Sequence, residues 1–139
     1  MSFERSKKLI DASIKMLHEL ENDQKECTFN MVLRSELIHN IISSGRCLRK
    51  LLKEMRSDKM YFHLINIDSD SCPTFWSDND HKIETVLYEV TRLLYFIDEA
   101  LKSKAGFERI NELTQQLKEK FDYVETEYGT YISFYEKLV

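Results

Sequence analysis

Arg34 and His39 stand in one short run, Arg34-Ser35-Glu36-Leu37-Ile38-His39, whose residue types could act on a phosphodiester. A guanidinium would stabilise charge on the phosphoryl oxygens, and an imidazole would move the proton as general acid or base. The same run holds Glu36-x-x-His39, half of the carboxylate–histidine set by which helical bundles bind two iron ions. Its other half is missing, because the nearest second match, Asp78-x-x-His81, is expected at a helix start rather than mid-bundle. Asp68 and Asp70 suit the first two positions of a calcium loop. Cys72 and Pro73 then occupy its third-ligand and Gly positions, and no Glu closes it. No metal and no cofactor is expected.

Over these six residues the Arg34–His39 spacing resembles the motif of HEPN-type helical ribonucleases, which need no metal. The resemblance implies Arg34 and His39 as the catalytic pair, at a dimer cleft. That family often has Asn after the Arg, where this chain has Ser35, and its motif commonly lies beyond a first helix pair. The segment His39-Asn40-Ile41-Ile42-Ser43-Ser44-Gly45 resembles the phosphorylation segment of histidine-phosphotransfer domains, which are four-helix bundles. That resemblance implies a phosphoryl-accepting His39 with small residues making room for a partner. The family's Lys three positions after the His, and the Gly after it, are Ile42 and Ser43 here. The groups that would assist the phosphoryl transfer are therefore absent.

Helices must position all of these residues. From Ile83 the apolar positions run Ile83, Leu87, Val90, Leu94, Ile97 and Leu101, alternating four and three, the period of a helix burying one stripe. Three Gly and one Pro are too few to end many strands. The first helix is predicted over about Phe3–Glu21 on Phe3, Ile10, Ile14, Leu17 and Leu20, widened by Leu9 and Met16. The second is predicted over about Thr28–Ser57 on Phe29, Leu33, Leu37, Ile41, Ser44, Leu48, Leu52 and Met55, widened by Val32 among others. Gly45 in its middle predicts a close helix approach or a kink. The third is predicted over about Asn79–Lys104, with Ser77 to Asp80 as N-cap candidates and Gly106 at C′. The fourth is predicted over about Phe107–Leu138 on Ile110, Leu113, Leu117, Phe121, Val124, Tyr128, Tyr131, Tyr135 and Leu138. Residues 60–67 fit strand, helix or packed loop, and the long connection between the second and third helices is of the kind that carries function. The expected fold class is all-α, an antiparallel four-helix bundle in a single domain over 1–139. The runner-up pairs 60–67 as a strand.

The bulk numbers narrow the function classes. A chain of 139 residues buries enough surface to fold without disulfides. Its three Cys, with no C-x-x-C, indicate neither a disulfide framework nor a zinc site. The opening residues lack the apolar core of a signal peptide. The run Met60–Ile67 is far short of the roughly 20 residues a bilayer needs. A cytoplasmic protein with no membrane partner is expected. The net charge of −4 disfavours nucleic acid. Residues 1–57 carry eleven basic against eight acidic groups, and 58–139 nine against sixteen. The basic flank Arg46, Arg49, Lys50, Lys53 and Arg56 is expected to pair within the bundle with Glu108, Glu112, Glu119, Asp122 and Glu125, or to be simply solvated.

By elimination the sequence points to a non-enzymatic protein–protein interaction module: an adaptor, chaperone, inhibitor or immunity-type regulator. Its partner contacts are placed on Tyr61, Phe62, Phe75 and Trp76, in or beside the long connection. Tyr88 and Tyr95, one heptad apart and off the third helix's main stripe, fit an interface or a thick core equally. Heptad stripes serve monomer and dimer alike, so a homodimer stays open.

Overall fold

The computed structural model describes residues 2–22, 27–56 and 72–138. Among them are four helices and no strand: α1 (Phe3–Asn22), α2 (Cys27–Arg56), α3 (Cys72–Lys102) and α4 (Phe107–Leu138). Residues 60–67, including Tyr61 and Phe62, lie outside the described residues. The four helices form an antiparallel ring in which α1 packs on α2, α2 on α3, α3 on α4 and α4 back on α1. Direction follows from what the ends touch. Arg34 near the start of α2 meets Ala105 beyond the end of α3, and Arg56 at the end of α2 meets Glu84 early in α3. Likewise Lys7 of α1 pairs with Glu125 of α4 at 2.8 Å, and Asp11, one turn on, with Lys118 at 3.8 Å.

The core is where the periodicity puts it. Ile10 and Leu17 of α1, Ile41, Leu48 and Leu52 of α2, Ile83, Val90 and Ile97 of α3, and Ile110, Leu117 and Phe121 of α4 are buried completely. Two residues expected to widen the buried faces do not. Met16 is 42% and Val32 59% exposed. Met16 stands about 130° and Val32 about 160° around its helix from the buried line, since each residue turns the chain by about 100°. Buried hydroxyls return to their own helix: Ser44 and Thr114 donate to the carbonyls of Asn40 and Ile110, at 2.9 and 2.7 Å.

Gly45 marks a close approach. A Cβ built there would lie 2.5 Å from Leu94 Cδ2 and 3.1 Å from Leu117 Cδ2, so α3 and α4 press onto α2 where it has no side chain. Close packing accounts for this glycine, which lies within one helix from Cys27 to Arg56.

The helix ends differ from expectation at two points. α3 begins at Cys72, not Asn79, so Ser77 to Asp80 are helical interior rather than caps. Pro73 is compatible with this because the first turn needs no N–H from it. The end of α3 is capped without glycine. Ala105 N–H donates to the Ala100 carbonyl at 2.9 Å and Lys104 N–H to Leu101 at 3.3 Å, the paired bonds of a Schellman turn. The left-handed residue this turn requires is Lys104, at φ 57°, not Gly106. Gly106 instead opens α4, its carbonyl accepting from Ile110 N–H at 3.2 Å. At the other end of the bundle Ser2 Oγ accepts from Arg5 N–H at 3.2 Å, and a Glu136 carboxylate oxygen accepts from Phe3 N–H at 2.7 Å. The first helix is thus capped by the last one.

Candidate functional site

α3 carries two stripes of the same period on different sides. The inner one, Ile83, Leu87, Val90, Leu94 and Ile97, is buried. The outer one, Thr85, Tyr88, Arg92, Tyr95, Glu99 and Lys102, is exposed throughout. Its spacings of three, four, three, four and three are those of a helix–helix seam. Tyr88 is 67% and Tyr95 62% exposed. These rings therefore do not belong to a thick core.

Beside this stripe α3 and α4 part to form a groove of about 390 Å³, lined by Arg92, Phe96, Arg109, Gln116, Lys120 and Glu89 among others. A smaller recess of about 270 Å³ continues past Glu89 and Lys120 to Lys82 and Tyr123. Phe96 forms the floor, touching Tyr95 edge-on at 5.8 Å between centroids. Two guanidiniums from different helices stand over its ring, Arg92 at 5.3 Å and Arg109 at 6.0 Å. Lys120 of α4 pairs with Glu89 of α3 across the groove, and Arg109 with Glu112 at 3.6 Å. Among the described residues no carboxylate lies within ion-pair distance of Arg92. Exposed Tyr and Arg around a half-buried Phe are the residue types that dominate binding energy at protein interfaces.

The sequence-derived candidates fall as follows. Phe75 and Trp76 are in the first turns of α3 by backbone, and their side chains, like Tyr61 and Phe62, lie outside the described residues. Arg34 donates through Nη2 to the Ala105 carbonyl and stands 5.3 Å over the Phe107 ring. Burial pushes its guanidinium below the usual range. It fastens the α3–α4 connection to α2. His39 is exposed, and a separation of five residues turns it about 140° from Arg34. The structure does not bring the two together.

The basic flank of α2 is not matched by the acidic stripe of α4, because α2 and α4 stand mainly across the bundle from each other. Asp122 and Glu125 pair instead with Lys7 of α1, and Arg56 with Glu84 of α3 at 3.4 Å. Arg46, Lys50 and Lys53 are exposed. Among the described residues no group of three or more metal-ligating side chains converges, and no helix is long and apolar enough to cross a membrane.

The sequence reading missed Arg92, Phe96, Arg109 and Lys120. The outer stripe was visible as a second heptad on α3, offset from the first. The contributions of Arg109 and Lys120 were not, since only the packing of α4 sets them beside Phe96. The chain matches no family model, no curated protein and no solved structure.

Proposed function

We propose that this chain is a non-enzymatic protein–protein interaction module that binds through the outer face of α3 and its groove with α4. The observation that carries the reading is the pair of largely exposed tyrosines, Tyr88 and Tyr95, set at heptad spacing around Arg92. Leaving two large rings in water forgoes their burial, and Tyr and Arg are the residue types enriched where interfaces carry their binding energy. The aromatic cluster of Phe75 and Trp76, with Tyr61 and Phe62 before it, extends the same proposal. Trp76 precedes Tyr88 on the same helix by about 18 Å of axial rise and about 120° of rotation, so it would be a second contact patch rather than more of the same stripe.

The test is a pull-down from nuclease-treated host lysate with wild type, Tyr88→Ala/Tyr95→Ala and Phe75→Ala/Trp76→Ala proteins. A stoichiometric protein held by wild type and lost with the first variant, helicity unchanged, supports the α3 face. Loss with the second variant alone moves the contact to the start of the helix. Protein-free RNA cleavage by wild type that disappears in His39→Ala would overturn the non-enzymatic reading.

A further inference from the structure

The core of the outer stripe reads the same from both ends in its spacing. Tyr88, Arg92, Tyr95 and Glu99 are separated by four, three and four residues. A helix face with that spacing maps onto itself when a second copy is laid antiparallel about a two-fold axis between residues 93 and 94. In antiparallel helix pairs the two alternating seam positions meet each other rather than themselves. Residue 92 then meets 95, and residue 88 meets 99, each twice.

The chemistry at those meetings is complementary. Arg92 would lie on the ring of the partner's Tyr95, a cation against a π face. Its guanidinium already has Phe96 on one side, so the second ring would complete a sandwich. The phenol of Tyr88 would meet the carboxylate of the partner's Glu99, a charge-assisted hydrogen bond. Beyond them Thr85 would meet the partner's Lys102. A parallel pairing in register does the opposite, setting Arg92 against the partner's Arg92 and Glu99 against the partner's Glu99. Like charges directly opposed would disfavour that arrangement. Every member of the stripe is exposed, and Lys102 at its end pairs with Asp98 of its own helix at 3.0 Å.

We infer that the outer face of α3 is a self-association surface occupied by the same face of a second copy, antiparallel, with Arg92 on the partner's Tyr95 and Tyr88 on the partner's Glu99. This inference rests on the reading of that face as a contact surface. The dimer is a weak one, because its seam holds two charged residues among its layers.

Sedimentation equilibrium of the full chain from about 5 µM to about 500 µM, the range bracketing micromolar affinity, tests it. Wild type shows a reversible monomer–dimer equilibrium. Tyr88→Ala/Tyr95→Ala weakens it about tenfold or more, with helicity and melting retained because both side chains are exposed. Arg92→Glu weakens it similarly by setting a carboxylate on an aromatic face. Arg92→Glu/Tyr95→Arg restores it, since residues 92 and 95 of opposite copies then form ion pairs, which only the antiparallel register brings together. A wild type monomeric at every concentration overturns the inference. So does a dimer indifferent to the tyrosine pair, or one that the double swap fails to rescue. None of these three results touches the lysate test of the face as a site for a different protein, so the two readings fail separately.

Discussion

Replacing Gly45 by Ala sets two effects of known size against each other. A glycine inside a helix costs about 1 kcal/mol relative to alanine, so on propensity alone Gly45→Ala stabilises α2. The added methyl, however, would sit 2.5 Å from Leu94 Cδ2 and 3.1 Å from Leu117 Cδ2, inside a core where Leu94 is only 5% exposed. Forcing one carbon into a closed core costs about 1–3 kcal/mol in shifted rotamers and backbone. The expected net is a loss of about 1 kcal/mol, near 3 °C in Tm for a domain of this size. Leu94→Ala removes the obstructing atom. Alone it leaves a cavity and costs about 2–5 kcal/mol. In that background Gly45→Ala meets only Leu117 Cδ2, at 3.1 Å, the far end of a side chain that can shift by a few tenths of an ångström into the new cavity, so most of the propensity gain is expressed. The same substitution should then be neutral or stabilising by up to about 1 kcal/mol, giving a coupling of about 1–2 kcal/mol between the sites. Urea unfolding of the four proteins, followed by far-UV circular dichroism, reads each term. If Gly45→Ala stabilises the wild type by its full propensity gain, or the two substitutions add within about 0.5 kcal/mol, α2 and α3 do not approach at Gly45 as described.

Lys104→Gly should raise stability by about 1 kcal/mol in thermal melts, because a left-handed φ of 57° costs a side chain about that much and glycine nothing. Arg34→Ala should cost about 2 kcal/mol, losing the bond to the Ala105 carbonyl and the contact with Phe107, and Arg34→Lys should recover only part of it. Burial first, and then the bond to the Glu54 carboxylate, push the Tyr135 phenol up to about 12. The folded state therefore holds this proton more tightly than the unfolded chain does. Stability from Tyr135 is complete below pH of about 10 and lost as pH rises toward about 12, a fall that Tyr135→Phe should lessen but, with the Tyr128 phenol also raised by burial, not abolish in alkaline unfolding curves.

The periodic part of the fold was legible because burial alone dictates it. Ile83 to Leu101 could not alternate by four and three without facing one interior, and the stripe through Ile110, Leu117 and Tyr128 is buried along the same line. What failed were choices between near-equal local options. Ser77 to Asp80 offered N-cap side chains, yet Pro73 offered an equally good first turn several residues earlier, and the helix takes it. Gly106 was the residue with the most freedom for a left-handed turn, but the Schellman bonds fix the geometry two positions back, and Lys104 bears it. Pairing of charge between α2 and α4 failed for a different reason: composition shows which helices are acidic and basic, not which are neighbours. The candidate surface was half legible, in Tyr88 and Tyr95. Its other half, Arg109 and Lys120 across the groove, belongs to a helix whose position no local pattern reveals.

The bond from Phe3 N–H to the Glu136 carboxylate joins residues 133 positions apart, and it makes the bundle a closed cycle rather than a row. In a cycle the order of the helices along the chain is one cut among several that give the same packing. A chain rejoined by a short linker between residues 138 and 2, and opened within 23–26, would keep every interhelical contact described above, including the anchor from Arg34 to the α3–α4 connection. Phe3 and Glu136 meet at the end of the bundle away from the α3–α4 turn. A segment joined before residue 2 or after residue 138 would start from that one pole of the bundle, opposite the α3–α4 turn.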